Sequence, residues 1–251
     1  MNAHDRAARK QAALTDYDAL REHRPELFEN PSGAAFEILL DRADQEQASG
    51  EASRAAVAAG LPESVGDIGV VYRDPYFCLV RDAVRFANRG DRRLGTYIRI
   101  VPVSVSGGAA VLPVLADGRV VLLHHFRHAD RSWHWEIPRG FGDPGEDGAG
   151  TAAREVREEL GAHVADFTYL GAVSPDTGLR AGADHLYLAR IGAAQLTDRP
   201  ARDARAEGID AYQAVPQEEL RAMVADRRIT DAFTLSAYAL ATAQGLLEVG
   251  P

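Results

Sequence analysis

Cysteine occurs once in 251 residues, at Cys78, so no internal disulfide can staple this chain, and a reducing setting such as the cytoplasm is expected. Positive charge is also scarce. Twenty-eight Lys+Arg against 37 Asp+Glu leave 28 − 37 = −9, a field that repels phosphate polymers and argues against nucleic acid as a partner. Long hydrophobic runs are missing too: the most apolar region, 101–123, is broken by Pro102, Pro113, Asp117 and Arg119, so no membrane contact is expected. Residues 1–24 are charged throughout, without the apolar segment of a secretory signal. With 23 Gly and 12 Pro and no fixed-period repeat, fibrous and low-complexity classes drop out. What remains is 46% hydrophobic and 26% charged, the composition of a globular protein long enough to bury a sizeable core.

The chain reads as two regions. Residues 1–66 are expected to form a helical N-terminal extension, with Leu14, Tyr17 and Leu20 at helical spacing, breakers at Pro25, Pro31 and Gly33, and a second helix over about 41–59. Residues 67–251 are expected to form the main domain. From Ile68 onward short β-rich runs follow one another, and Ala116-Asp-Gly-Arg119 between the apolar runs 109–115 and 120–123 signals a hairpin. Further strands are expected near 167–173, 186–189 and 211–215, then helices over about 217–226 and 232–244.

The most informative stretch begins at Gly140 and ends at Gly161. A glycine-rich loop leads into a helix expected to start near Thr151 or Ala152 and to stop at Gly161. Glu155, Glu158 and Glu159 stand at i, i+3 and i+4, which puts all three on one helical face. As helix design this is poor, because like charges at i, i+4 cost about 0.2–0.5 kcal/mol. Acids in the last turn oppose the helix dipole by roughly 0.3–1 kcal/mol more. A hard divalent cation would turn that repulsion into binding, and Mg²⁺ suits a few carboxylates plus waters and phosphate oxygens. Arg154 precedes the cluster and can pair with Glu146 across the loop. A solvated acidic face is the ordinary alternative.

The spacing is decisive. Gly140, Glu146, Arg154, Glu155, Val156, Glu158, Glu159 and Gly161 fit Gly-x5-Glu-x7-Arg-Glu-aliphatic-x-Glu-Glu-x-Gly, the Nudix box. At about one in fifteen per position, seven fixed matches arise by accident on the order of 10⁻⁸ per starting residue, so chance is no competitor. One departure is Ala162, where a larger aliphatic residue usually closes the box. The chain thus resembles the Nudix hydrolases, which cleave a nucleoside diphosphate linked to another moiety.

That resemblance implies an α/β/α sandwich with a mixed sheet and the box as a loop–helix–loop metal site. It implies Glu155 and Glu159 as first ligands for Mg²⁺ or Mn²⁺, Glu158 beside them, and the backbone carbonyl of Arg139, a position more often held by a small residue. Glu207 matches a position from which an acid reaches the metals, as general base or additional ligand, while Arg205 stands where a second acid is sometimes found. Outside the box the resemblance covers roughly residues 77–240 and is greatest to ADP-ribose pyrophosphatases. The runs 109–127 and 135–140, Glu207, and the stretch 219–235 carry it. It implies Arg127 and Arg99 as contacts to the diphosphate, and Pro175 as a sign of ADP-ribose preference. Asp-Thr-Gly follows that proline in place of the more usual Gly-Gly or Gly-x-Ser.

The expected activity is metal-dependent hydrolysis of ADP-ribose or a related conjugate to AMP and a phosphorylated product. NAD-type dinucleotides, nucleotide sugars, and a sensing module without turnover are the alternatives. Relatives commonly dimerise through N-terminal strands, which implies a homodimer with residues 1–66 covering the site or the interface. Zinc at His124, His125, His128 and His134 is disfavoured by spacing, since adjacent strand residues point to opposite faces. Trp133, Trp135 and Tyr97 read as packing residues before nucleobase platforms.

Overall fold

Strand pairing decides how this chain divides. A computed structural model describes residues 3–86, 93–105, 107–143, 145–164, 166–196 and 200–247, which leaves Pro144 of the box outside the described residues. Two compact units result: Met1–Val103 with Asp176–Ala181, and Ser104–Pro175 with Gly182–Pro251.

The first unit holds helices α1 (Ala3–His23) and α2 (Arg42–Ala58) with strands β1 (Phe36–Ile38), β2 (Gly69–Arg73), β3 (Phe77–Phe86) and β4 (Leu94–Pro102). β3 is central. One edge pairs with β4 over its whole length; the other pairs first with β2 and then, at Val84–Phe86, with β1. Tyr17 of α1 packs with Val70, Cys78, Val80 and Val101, while Leu14, Leu39, Ala48, Ile68 and Ala83 form a second cluster. The buried Asp82 carboxylate accepts from the Tyr17 hydroxyl at 2.7 Å and from Arg99 Nε at 2.7 Å. Residues 1–66 and 67–103 therefore share one sheet and its cores, and the sequence-based boundary at 66/67 falls inside this unit. Three residues are too few for β1 to show a readable alternation.

The second unit is built on a seven-stranded mixed sheet. Its path is β11 (Ile209–Val215), β6 (Val120–Arg127), β5 (Gly108–Leu115), β10 (Asp184–Ile191) and β9 (Phe167–Val173), with β5 and β10 parallel. The expected Asp-Gly turn joins β5 to β6: Gly118 has φ +86° and Leu115 N–H donates to Arg119 O at 2.8 Å. Beyond the Val114–Val120 pair the two strands part. The gap takes β7 (Ser132–Glu136), which pairs with β6, and β8 (Arg139–Phe141), which pairs with β5. Val111 N–H donates across that gap to Pro138 O at 2.9 Å, so strand alternation turns the nitrogen of residue 113 the same way. Pro113, which has no N–H, costs no ladder bond there.

Every β5 residue is buried because both faces of the sheet are covered. Leu112, Val114, Leu122, Leu186 and Leu188 face α5 (Gln217–Ala225) and α6 (Ala232–Ala243), meeting Leu220, Met223, Ala237 and Ala241. Val111, Leu115, Val121, Leu123 and Ala189 face α3 (Gly148–Leu160), meeting Ala152, Val156 and Leu160. The result is the expected α/β/α sandwich, with the short α4 (Arg202–Ala206) before β11.

Leu112 is fully buried at the centre of this sheet. Leu112→Ala should lower unfolding free energy by about 2–5 kcal/mol in urea titrations, and a loss near zero would contradict the two-faced core.

Candidate active site

α3 begins three residues earlier than the sequence suggests, because Asp147 caps it: its carboxylate accepts from Gly150 N–H at 2.7 Å. The helix ends as expected at Gly161, which has φ +69°. Ala152, Val156 and Leu160 recur every fourth residue and seat the helix on the sheet. Glu155 and Glu159 flank that stripe and are buried with it, at 6% and 2% exposure. Glu158 lies outside, its side chain 43% exposed. The three acids thus occupy two environments.

Burial pushes the Glu155 carboxyl above the usual range, with the charges of Glu158 and Glu207 adding to the rise and Arg154 opposing it. Burial pushes Glu159 much further up, reinforced by Glu155 and Glu136 and opposed by Arg127. Gly140 lies directly over Glu155, where an added Cβ would collide with Oε1. From the neighbouring residue, Arg139 N–H donates to Glu159 Oε2 at 3.1 Å.

Arg154 gathers the front of the site. Its guanidinium donates to Glu146 at 3.3 Å, Glu155 Oε1 at 2.7 Å, Glu158 Oε2 at 3.0 Å and Phe141 O at 2.6 Å. Glu146 also accepts from Asp143 N–H at 3.1 Å and from the Thr151 hydroxyl at 3.2 Å. Loop and helix start are tied together by one cation.

A second charged group, behind Glu159, centres on Glu136 of β7, which is 1% exposed. Arg127 Nε donates to Oε2 at 3.1 Å, and its Nη2 contacts Oε1. His125 Nδ1 lies 2.9 Å from Oε1 and Arg139 Nη2 lies 3.6 Å from Oε2. Burial works to raise this carboxyl, yet His125, Arg139 and Arg127 outweigh it and hold Glu136 below the usual range. Arg139 also reaches Asp231 Oδ1 at 3.3 Å and covers the Phe233 ring at 4.8 Å. In the sequence Glu136 is only one residue of the run 135–140 that leads into the box. The available signal was a lone acid between Trp135 and Ile137, on a strand too short to recognise.

Glu207 caps the C-terminal end of α4, and its carbonyl lies 3.1 Å from His125 Nε2. Arg205 is in the last turn of that helix. Arg99 belongs to the first unit, where it holds Asp82, donates to Leu27 O at 2.8 Å and covers Phe28. His124 stacks on Trp133 with centroids 4.6 Å apart and pairs with Asp210, while His134 pairs with Asp130.

Among the described residues no three His, Cys, Asp or Glu side chains are grouped to hold a metal ion. Mg²⁺ does not need such a cage, since it keeps several waters and binds one or two carboxylates. Glu155 and Glu159, buried together and both pushed up by burial, with the Arg139 backbone N–H on Glu159, fit that requirement.

A mixed sheet between helix layers, with a glycine loop feeding a helix that carries a buried acidic pair, defines the structural class. Residues 106–233, just over half of the chain, match the family model for the NUDIX domain. The chain belongs to the Nudix family. It is 36% identical over 83 residues to the CMP-5'-(N-acetyl-N-hydroxy-3-aminopropyl)phosphonate hydrolase of Streptomyces rubellomurinus, over 33% of this chain and 40% of that one. It is 30% identical over 114 residues to the ADP-ribose pyrophosphatase of Mycobacterium tuberculosis, over 45% and 52% respectively. The matches therefore span about half the length of these relatives or less. The crystal structure of an ADP compounds hydrolase superposes with a TM-score of 0.54 at 20% identity, covering 70% of this chain and 92% of that one. That similarity supports the fold.

A carboxyl whose pKa is raised by folding stabilises the fold fully below its unfolded value and loses that contribution as pH rises through the folded value. In chelator, Glu159→Gln should therefore leave stability unchanged near pH 4 and raise it by about 1–3 kcal/mol at pH 8. Thermal melts of both proteins across pH check this; parallel profiles would mean that Glu159 carries no buried charge.

Proposed function

We propose that this protein is a divalent-metal-dependent hydrolase that splits the diphosphate of ADP-ribose or a related nucleoside diphosphate conjugate, giving AMP and a phosphorylated product. The observation that carries this reading is the burial of Glu155 and Glu159 one turn apart, beneath Gly140 and beside the Arg139 backbone. In this reading Glu155, Glu159, the partly exposed Glu158 and the Arg139 carbonyl hold Mg²⁺, or Mn²⁺ in its place. When bound, the metal supplies an activated water and neutralises charge on the diphosphate oxygens.

This chain's residues do the rest. Glu207, whose charge is felt at Glu155, accepts the water's proton or adds a ligand. Arg127, held by Glu136, presents its guanidinium to the diphosphate, and such local cations matter in a chain of net charge −9. Arg99 keeps a place among the substrate contacts on family resemblance alone. Arg154 and Glu146 brace the loop. The two named relatives act on a CMP phosphonate and on ADP-ribose, which favours a nucleoside linked through phosphorus to a variable group.

The same reading includes a homodimer, supported by the exposed Tyr72, Tyr97 and Ile98 on the first unit's strands. A cytoplasmic setting is supported by the free, buried Cys78, and no described helix is long and apolar enough to cross a membrane.

A mass-spectrometric screen of adenosine and cytidine diphosphate conjugates in Mg²⁺ should show nucleoside monophosphate release, falling about 10³-fold in Glu159→Gln. Binding of conjugates without any turnover in the unmutated protein would favour a sensor instead. Gly140→Ala should depress turnover by about 10-fold or more while folding survives, because the added methyl displaces the Glu155 carboxylate. Undiminished activity in that variant would remove Glu155 from the metal-binding set. Light scattering reporting one chain per particle would remove the dimer.

A further inference from the structure

Three arginines and His125 stand around the acidic pair, yet they are shared out unevenly. Arg154 pairs directly with Glu155 and Glu158. Arg127, Arg139 and His125 turn instead to Glu136 on the opposite side. Among the described residues no arginine or lysine side chain reaches Glu159, whose partner is the backbone N–H of Arg139. Arg127 is near enough for its charge to act on Glu159. Its guanidinium is on Glu136 instead, with Nε donating to Oε2 at 3.1 Å and Nη2 in ion-pair contact with Oε1. A carboxylate at 1% exposure contacting two arginines and a histidine is costly to bury, so it needs a use beyond linking strands.

We propose that Glu136 is a positioning residue that holds Arg127 off Glu159, so that the Glu159 carboxylate stays open to a divalent cation. The inference rests on the metal-binding reading given above. Without Glu136, the Arg127 guanidinium has Glu159 as a neighbouring anion and becomes an internal competitor of the metal. Glu136 thereby serves both ends of the site: it aims one arginine at substrate and keeps the same arginine away from the metal ligand.

The test is Mn²⁺ binding to the full chain, followed by calorimetry and by electron paramagnetic resonance of free Mn²⁺, without substrate. Glu136→Gln should weaken Mn²⁺ binding by about 10–100-fold. Adding Arg127→Met to that variant should restore affinity to within about threefold of the unmutated protein, which loss of a merely structural bond would not do. Unchanged affinity in Glu136→Gln overturns the proposal, as does a double variant no tighter than Glu136→Gln. Circular dichroism checks folding. Should Glu136→Gln fail to fold, Glu136→Asp, which keeps the charge but shortens the reach, is judged by the same pair of comparisons with and without Arg127→Met. Unmutated protein that binds no Mn²⁺ sinks the hydrolase reading itself; binding that is lost in Glu159→Gln but kept in Glu136→Gln sinks the Glu136 proposal alone.

Discussion

Glu155 and Glu159 are buried one turn apart on α3; burial pushes both towards the neutral form, and the charge of Glu155 pushes Glu159 further. That repulsion is the constraint around which the second unit is organised. The helix cannot rotate to expose the pair, because Ala152, Val156 and Leu160 on the same stripe fill the core against β5 and β6. Nor can the loop drift, since Arg154 ties Glu146 and Phe141 to the helix start. Removing the acids would relax the fold, so their presence marks a site where local stability yields to another demand.

The sheet meets this demand by opening. β5 and β6 touch only near the hairpin, and β7 and β8 enter between them from the other end. The inserted segment delivers Glu136 and Arg139 to positions behind Glu159, and Gly140 over Glu155. One ten-residue excursion therefore supplies the back wall, a backbone donor and the close approach that only glycine permits.

Much of this could be read from the residues in order. The box spacing identified α3, its acids and the loop brace, because helix periodicity and glycine punctuation are local properties. The hairpin at Asp117-Gly118 and the final helices were legible for the same reason. Other features depended on pairing at a distance. β1 joins β3 across almost fifty residues, and β7 and β8 become strands only because β5 and β6 part to receive them. Periodicity placed Glu155, Glu158 and Glu159 on one face, but burial separates Glu158 from the other two, since depth depends on what lies opposite. Glu136 was hidden because its meaning comes from three partners on two strands. The partners of Arg99 are equally a matter of pairing at a distance, since it donates to Asp82 on the neighbouring strand and to Leu27 O in the first unit.

The parted strands have a mechanical consequence. With the β5–β6 ladder closed only at Val114–Val120, the sheet is two ribbons, β11-β6-β7 and β8-β5-β10-β9, hinged at the hairpin and bridged at the far end by side chains and a short connection. Glu136 stands with Arg127 on the first ribbon and reaches Arg139 on the second, so the same buried carboxylate also ties the sheet across its parting.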